Sequence, residues 1–98
     1  MAEITIVYWR DIPAQVIAGK GRRGTKVPLS ERFEQAIDRA AMISGAQGTD
    51  AYLADWRRAA PVTIEGAESD VAQAEAARIE AEYDTARLRG LIDRGGRD

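Results

Sequence analysis

The stretch Ile4-Thr5-Ile6-Val7-Tyr8-Trp9-Arg10-Asp11-Ile12-Pro13-Ala14-Gln15-Val16-Ile17 decides how this chain folds. Ile4, Ile6 and Tyr8 alternate with Thr5, Val7 and Trp9, so β-branched and aromatic residues stand on both sides of one extended segment. That composition predicts a strand, and apolar side chains on both sides predict a central or covered one. Arg10-Asp11-Ile12-Pro13 interrupts it, because aspartate bonds back to its own backbone in turns and proline has no N–H for a ladder. Strand character resumes at residues 14–18, so the two segments are expected to pair as an antiparallel hairpin. Trp9, Arg10 and Asp11 then stand at the hairpin end. They read either as core filler with a snorkelling arginine or as a surface turned toward a partner.

Downstream of the hairpin, Gly19-Lys20-Gly21-Arg22-Arg23-Gly24-Thr25-Lys26 is a loop on composition. It falls short of a phosphate-binding loop. That motif needs glycine, lysine and then serine or threonine leading straight into a helix, whereas here Thr25 precedes Lys26 and Val27-Pro28 blocks a helix start. Lys20, Arg22, Arg23 and Lys26 carry four positive charges with no acid among them. The loop is either a solvated hairpin tip or an electrostatic patch for an acidic protein surface, RNA or a phosphorylated cofactor.

Ser30 is a good N-cap for a helix over residues 31–44, which Gly45 ends. Phe33, Ala36, Ile37, Ala40, Ala41 and Ser44 form its apolar face, with Met42 and Ile43 flanking. A second short helix is expected from Thr49 or Asp50 to about Ala60, stopped by Pro61 and carrying Tyr52 and Trp56 at i, i+4. Trp56, Arg57 and Arg58 are core packing on one reading and an interface hot spot on the other. Val62-Thr63-Ile64 predicts a third strand. Residues 69–90 predict one long alanine-rich helix, and the final glycine-rich residues, 93–98, are expected to fray. The order ββααβα implies an α+β domain over residues 1–92, with a small, mainly antiparallel sheet and helices on one face.

At 98 residues the chain is one domain with one modest core. It contains no cysteine and no histidine, which excludes thiolate and imidazole metal sites and Ser-His-Asp or Cys-His catalysis. No EF-hand loop is present, so the sequence calls for no metal and no cofactor. Neither a signal segment nor an apolar run of roughly 18 residues is visible, and a cytoplasmic location is expected. Net charge is −2, which disfavours a general nucleic-acid binder. The charges are nevertheless segregated: seven acids against the single Arg78 fill residues 65–84.

Three stretches carry a family resemblance. Tyr8-Trp9-Arg10-Asp11-Ile12-Pro13-Ala14-Gln15-Val16 resembles the opening motif of a small bacterial family named virulence factor, a domain similar to that in conserved virulence factor C of Gram-positive bacteria. Phe33-Glu34-Gln35-Ala36-Ile37-Asp38 with Ala40-Ala41-Met42, and Tyr52-Leu53-Ala54-Asp55-Trp56-Arg57, resemble the same family, so the likeness spans residues 3–92. It brings no catalytic residues. It implies a partner, because relatives of this type in alphaproteobacteria are encoded beside methylenetetrahydrofolate reductase and corrinoid-dependent methyltransferase proteins.

The expected function is therefore a small non-catalytic accessory protein that stabilises or docks an enzyme of folate- or corrinoid-dependent one-carbon transfer. Its candidate partner-binding residues are Trp9, Arg10, Asp11, Lys20, Arg22, Arg23, Lys26, Trp56, Arg57 and Arg58. The alternative is a nucleic-acid-binding regulator using the basic loop at residues 20–26, and a steep salt dependence would mark it. An enzyme built on Tyr8, Arg10 and Asp11 is a distant third reading.

Overall fold

The computed structural model describes residues 2–19 and 24–98. The first strand, β1 (Ala2–Trp9), is the centre of a five-stranded sheet. On one side it pairs antiparallel with β2 (Ile12–Ala18), whose outer edge pairs with β3 (Thr25–Pro28). On the other side lie two short strands end to end. Trp56–Arg58, here β4, pairs with residues 7–9, and Val62–Ile64, here β5, pairs with residues 2–4. The Ala59 N–H donates to the Ile6 carbonyl at 3.0 Å and carries the ladder across the gap. Pro61, which has no N–H to offer, falls where the ladder is broken. The register of the hairpin shifts by one residue between Val7 and Tyr8, so Ala14 is the extra residue of a bulge in β2.

Four helices occur among the described residues: α1 (Glu31–Ser44), α2 (Asp50–Ala54), α3 (Glu68–Glu82) and α4 (Thr85–Asp93). Strand pleating sends Ala2, Ile4 and Ile6 to one face of β1, with Val16 and Ala18 beside them on β2. There α3 packs across β1, β2 and β3, burying Val71, Ala72, Ala76 and Ile79. Helix α1 lies against β2 and against α4, burying Phe33, Ala36, Ile37, Ala40 and Ala41. These form one continuous core with Trp9, Ile12, Leu88 and Leu91. The α+β class and the antiparallel sheet match the sequence expectation, and so do α1 with its Gly45 stop and the strand at residues 62–64.

Three local expectations are corrected. Trp56 is not on a helix: α2 stops at Ala54, and residues 56–58 take the edge of β1 that the hairpin leaves unpaired. An open backbone edge outweighs a weak helical preference in so short a segment. The helix expected over residues 69–90 is two. Tyr83 leaves helical geometry and Asp84 caps α4, accepting the Arg87 N–H at 2.8 Å. Arg32 donates to the Glu80 and Tyr83 carbonyls, which meets the acceptors exposed where α3 ends. The tail expected to fray is tied down, since the Gly96 carbonyl accepts the Asp11 N–H at 2.8 Å and Gly95 and Gly96 are both buried.

Candidate docking face and hairpin clamp

At the hairpin tip the backbone is strained, and the strain is held from three directions. Arg10 has φ of 55°, a left-handed conformation that non-glycine residues rarely adopt. Its N–H donates to the Asp55 carbonyl at 3.1 Å. Its guanidinium lies 4.6 Å over the Trp9 ring, pairs with the Asp55 carboxylate at 2.9 Å and donates to the Gly95 carbonyl at 2.7 Å. Asp11 is equally committed: one carboxylate oxygen accepts from Arg57 at 3.2 Å and the other from the Asp98 N–H at 2.7 Å. Arg57 also donates to the Arg10 carbonyl at 2.9 Å and lies 4.5 Å over the Tyr8 ring. Tip, α2–β4 junction and C-terminal residues are thus locked together.

This clamp reassigns three candidate residues. Trp9 is not a docking residue, because it has no exposed surface and its indole N–H donates to the Tyr52 carbonyl at 2.9 Å. Arg10 spends its donors on Asp55 and Gly95, and Asp11 its acceptors on Arg57 and Asp98. Arg10 is largely buried in these contacts, whereas the Asp11 carboxylate stays partly open to solvent.

A small polar cleft of about 240 Å³ opens beside the clamp, lined by Tyr8, Asp11, Arg57, Tyr83 and Asp98. Burial pushes the Tyr83 phenol above its ordinary value, with the neighbouring Tyr8 adding to the effect. A phenol raised in this way stays protonated at neutral pH. Among the described residues no group of acids is placed to hold a metal ion.

Lys26, Trp56 and Arg58 share a different sheet face, whereas Arg57 stays in the clamp. Direct pairing of Val7 with Arg58 and Gln15, and of Trp9 with Trp56, puts these side chains on the sheet face opposite α3. Lys26, paired with Ile17, and Pro28, paired with Gln15, extend that face to the β3 edge. Lys26, Trp56 and Arg58 are exposed. Trp56 retains 36% of its surface and stands edge-on to Tyr52 at 6.2 Å, which in turn packs on Trp9 at 5.9 Å. Its exposed ring is therefore backed by rigid aromatic packing. Next to it a groove of about 380 Å³ is floored by Val7, Leu29, Ile37 and Tyr52 and edged by Glu34 and Asp38. Lys20, Arg22 and Arg23 lie outside the described residues.

The i, i+4 spacing already pairs Tyr52 with Trp56, and the ring contact holds although residues 56–58 are strand; Leu29 and Ile37 as further lining of the groove are what sequence reasoning missed. Their meeting depends on α1 and β4 closing the same end of the sheet, and no local spacing signals that. Fold and surface together describe an α+β domain with a partly exposed tryptophan beside a groove on one sheet face. The model of the virulence factor family matches residues 7–92, and the chain belongs to that family. No curated protein and no solved structure matches it. No helix among the described residues is long and apolar enough to cross a membrane.

Proposed function

We propose that this protein is a small non-catalytic docking protein that acts on a partner protein in the cytoplasm through the Trp56 face. The observation that carries the reading is the exposed Trp56 ring, set edge-on against half-buried Tyr52, which packs on buried Trp9, beside a groove with an apolar floor. A tryptophan held rigidly at a surface loses little conformational freedom on binding, and tryptophan with arginine dominates interface energetics. Arg58 shares that face. The partner suggested by the family resemblance is a component of folate- or corrinoid-dependent methyl transfer, such as a methylenetetrahydrofolate reductase or a corrinoid methyltransferase.

The test is co-purification with those enzymes from native lysate and with the isolated enzymes, with and without nuclease and at low and high salt. A nuclease-resistant complex that Trp56→Ala abolishes, in a variant shown by circular dichroism to be folded at the assay temperature, supports the reading. Recovery that needs nucleic acid and collapses with salt replaces it with the regulator reading, in which Lys26 and Arg58 contact phosphate.

A further inference from the structure

A second groove lies on the other flank of α1, and its construction differs from that of the Trp56 face. Arg32 on α1 bonds the carbonyl that ends α3, just before α4, while Ser44 at the end of α1 lies against Gly95 just after α4. The two helices therefore run side by side in the same direction. Between them is a groove of about 560 Å³. One wall is formed by α1 positions 32, 35, 36, 39, 42 and 43, and the other by α4 positions 85, 88, 89, 92 and 93. Both sets follow i, i+3, i+4, i+7 spacing, so each wall is one continuous helical ridge. The α1 wall runs about 16 Å at 1.5 Å per residue, the length of about three helical turns.

The floor is apolar and the rim is basic. Leu88 is buried at the bottom, while Met42 and Ile43 stand 57% and 58% exposed. Arg32, Arg39 and Arg89 face Asp93 as the one carboxylate lining the groove. Arg32 is engaged by Glu80, but Arg39 and Arg89 make no ion pair or side-chain hydrogen bond among the described residues. No acid stands three or four residues from Arg39 along α1. Asp93 stands four residues from Arg89 on α4 and offsets part of the charge, so Arg39 and Arg89 against that one acid leave a net positive rim over exposed aliphatic side chains, complementary to acidic side chains flanking an apolar stripe.

We infer that this groove binds an amphipathic helix of a partner protein, with acidic residues along both margins of its apolar face. A helix suits the site because it satisfies its own backbone. An extended segment would bring unpaired N–H and C=O groups onto an apolar floor. Ridges at helical spacing on both walls also accept a third helix in ordinary ridge-into-groove packing. The inference is independent of the Trp56 face, and each surface has its own variants.

The probe is a synthetic helical peptide of about four turns, with leucines along one face and glutamates at its margins, paired with an otherwise identical peptide carrying lysines. Binding is read by methyl NMR of Met42, Ile43 and Ile92 and by fluorescence anisotropy. The acidic peptide is expected to shift those methyl signals and to bind about tenfold or more tightly than the lysine peptide. Arg39→Glu with Arg89→Glu should reverse that preference, while Trp56→Ala leaves it intact. Equal affinity for the two peptides overturns the inference, as do unshifted Met42, Ile43 and Ile92 signals or shifts confined to the Trp56 face. Concentration-dependent self-association abolished by Met42→Glu would assign the groove to a second copy instead, and would equally overturn it.

Discussion

Trp9 and Trp56 stand opposite each other in one antiparallel ladder and have opposite fates. Trp9 is fully buried, its indole N–H satisfied by the Tyr52 carbonyl, so Trp9→Ala should cost ~3–5 kcal/mol through an unfilled cavity. Trp56 is on the edge strand and partly exposed, so Trp56→Ala should cost about 1–2 kcal/mol, from the lost edge contact with Tyr52 and partial burial, well below Trp9→Ala. Urea titration of both variants checks the contrast, and a strongly destabilised Trp56→Ala would remove the basis for calling that residue a docking group. Gly96 offers a sharper test. Its φ is 90°, and an added Cβ would lie 2.8 Å from the Trp9 ring. Gly96→Ala should therefore destabilise by about 1–3 kcal/mol, through left-handed backbone strain and a clash against a ring that cannot move. Thermal denaturation reads it.

At the scale of the element, the break between α3 and α4 depends on Asp84. Its carboxylate caps the Arg87 N–H, and Tyr83 just before it packs edge-on to Phe33 at 6.1 Å. Asp84→Ala should cost about 0.5–2 kcal/mol, with Asp84→Asn retaining most of the stability because the amide oxygen accepts the same bond. If both variants behave alike, the cap is not what starts α4. The break was hard to read from sequence because alanine, glutamate and arginine on both sides favour helix, and aspartate within a helix costs only a few tenths of a kcal/mol. The decisive interactions come from a distant element, since Arg32 on α1 takes the carbonyls that the break exposes.

For the whole molecule, the joint between α1 and α3 makes stability depend on acid. Burial works to raise the Glu80 carboxyl, but bonds from the Ser30 hydroxyl and N–H, with the Arg32 charge, outweigh it and hold the group below the ordinary carboxylate range. A carboxyl depressed in the folded state stabilises the fold above its unfolded pKa of about 4.3 and loses that contribution as pH falls through the folded value. The stability gap between wild type and Glu80→Gln should thus be constant from about pH 7 to pH 5 and shrink below about pH 4. A gap that does not change with pH would show that Glu80 acts only through packing. Ser30 was legible as the residue before a helix, yet its side chain caps nothing in α1 and instead binds Glu80 on α3 at 2.8 Å.

The hairpin, the apolar face of α1 with its glycine stop, the α+β class and the absence of cysteine and histidine chemistry are all legible along the chain. Each follows from local pattern: alternation in β1, helical spacing in α1, composition throughout. That Trp9 is core and Trp56 surface comes from packing, because both are aromatic strand-formers and strand order alone separates a central ladder from an edge. Packing likewise gives Arg10 and Asp11 their partners, since Asp55, Gly95 and Asp98 stand more than forty positions away in the chain. The groove between α1 and α4 belongs to the same class of fact. Its two ridges are each readable as helix faces, but what they share is created by the packing that brings them side by side.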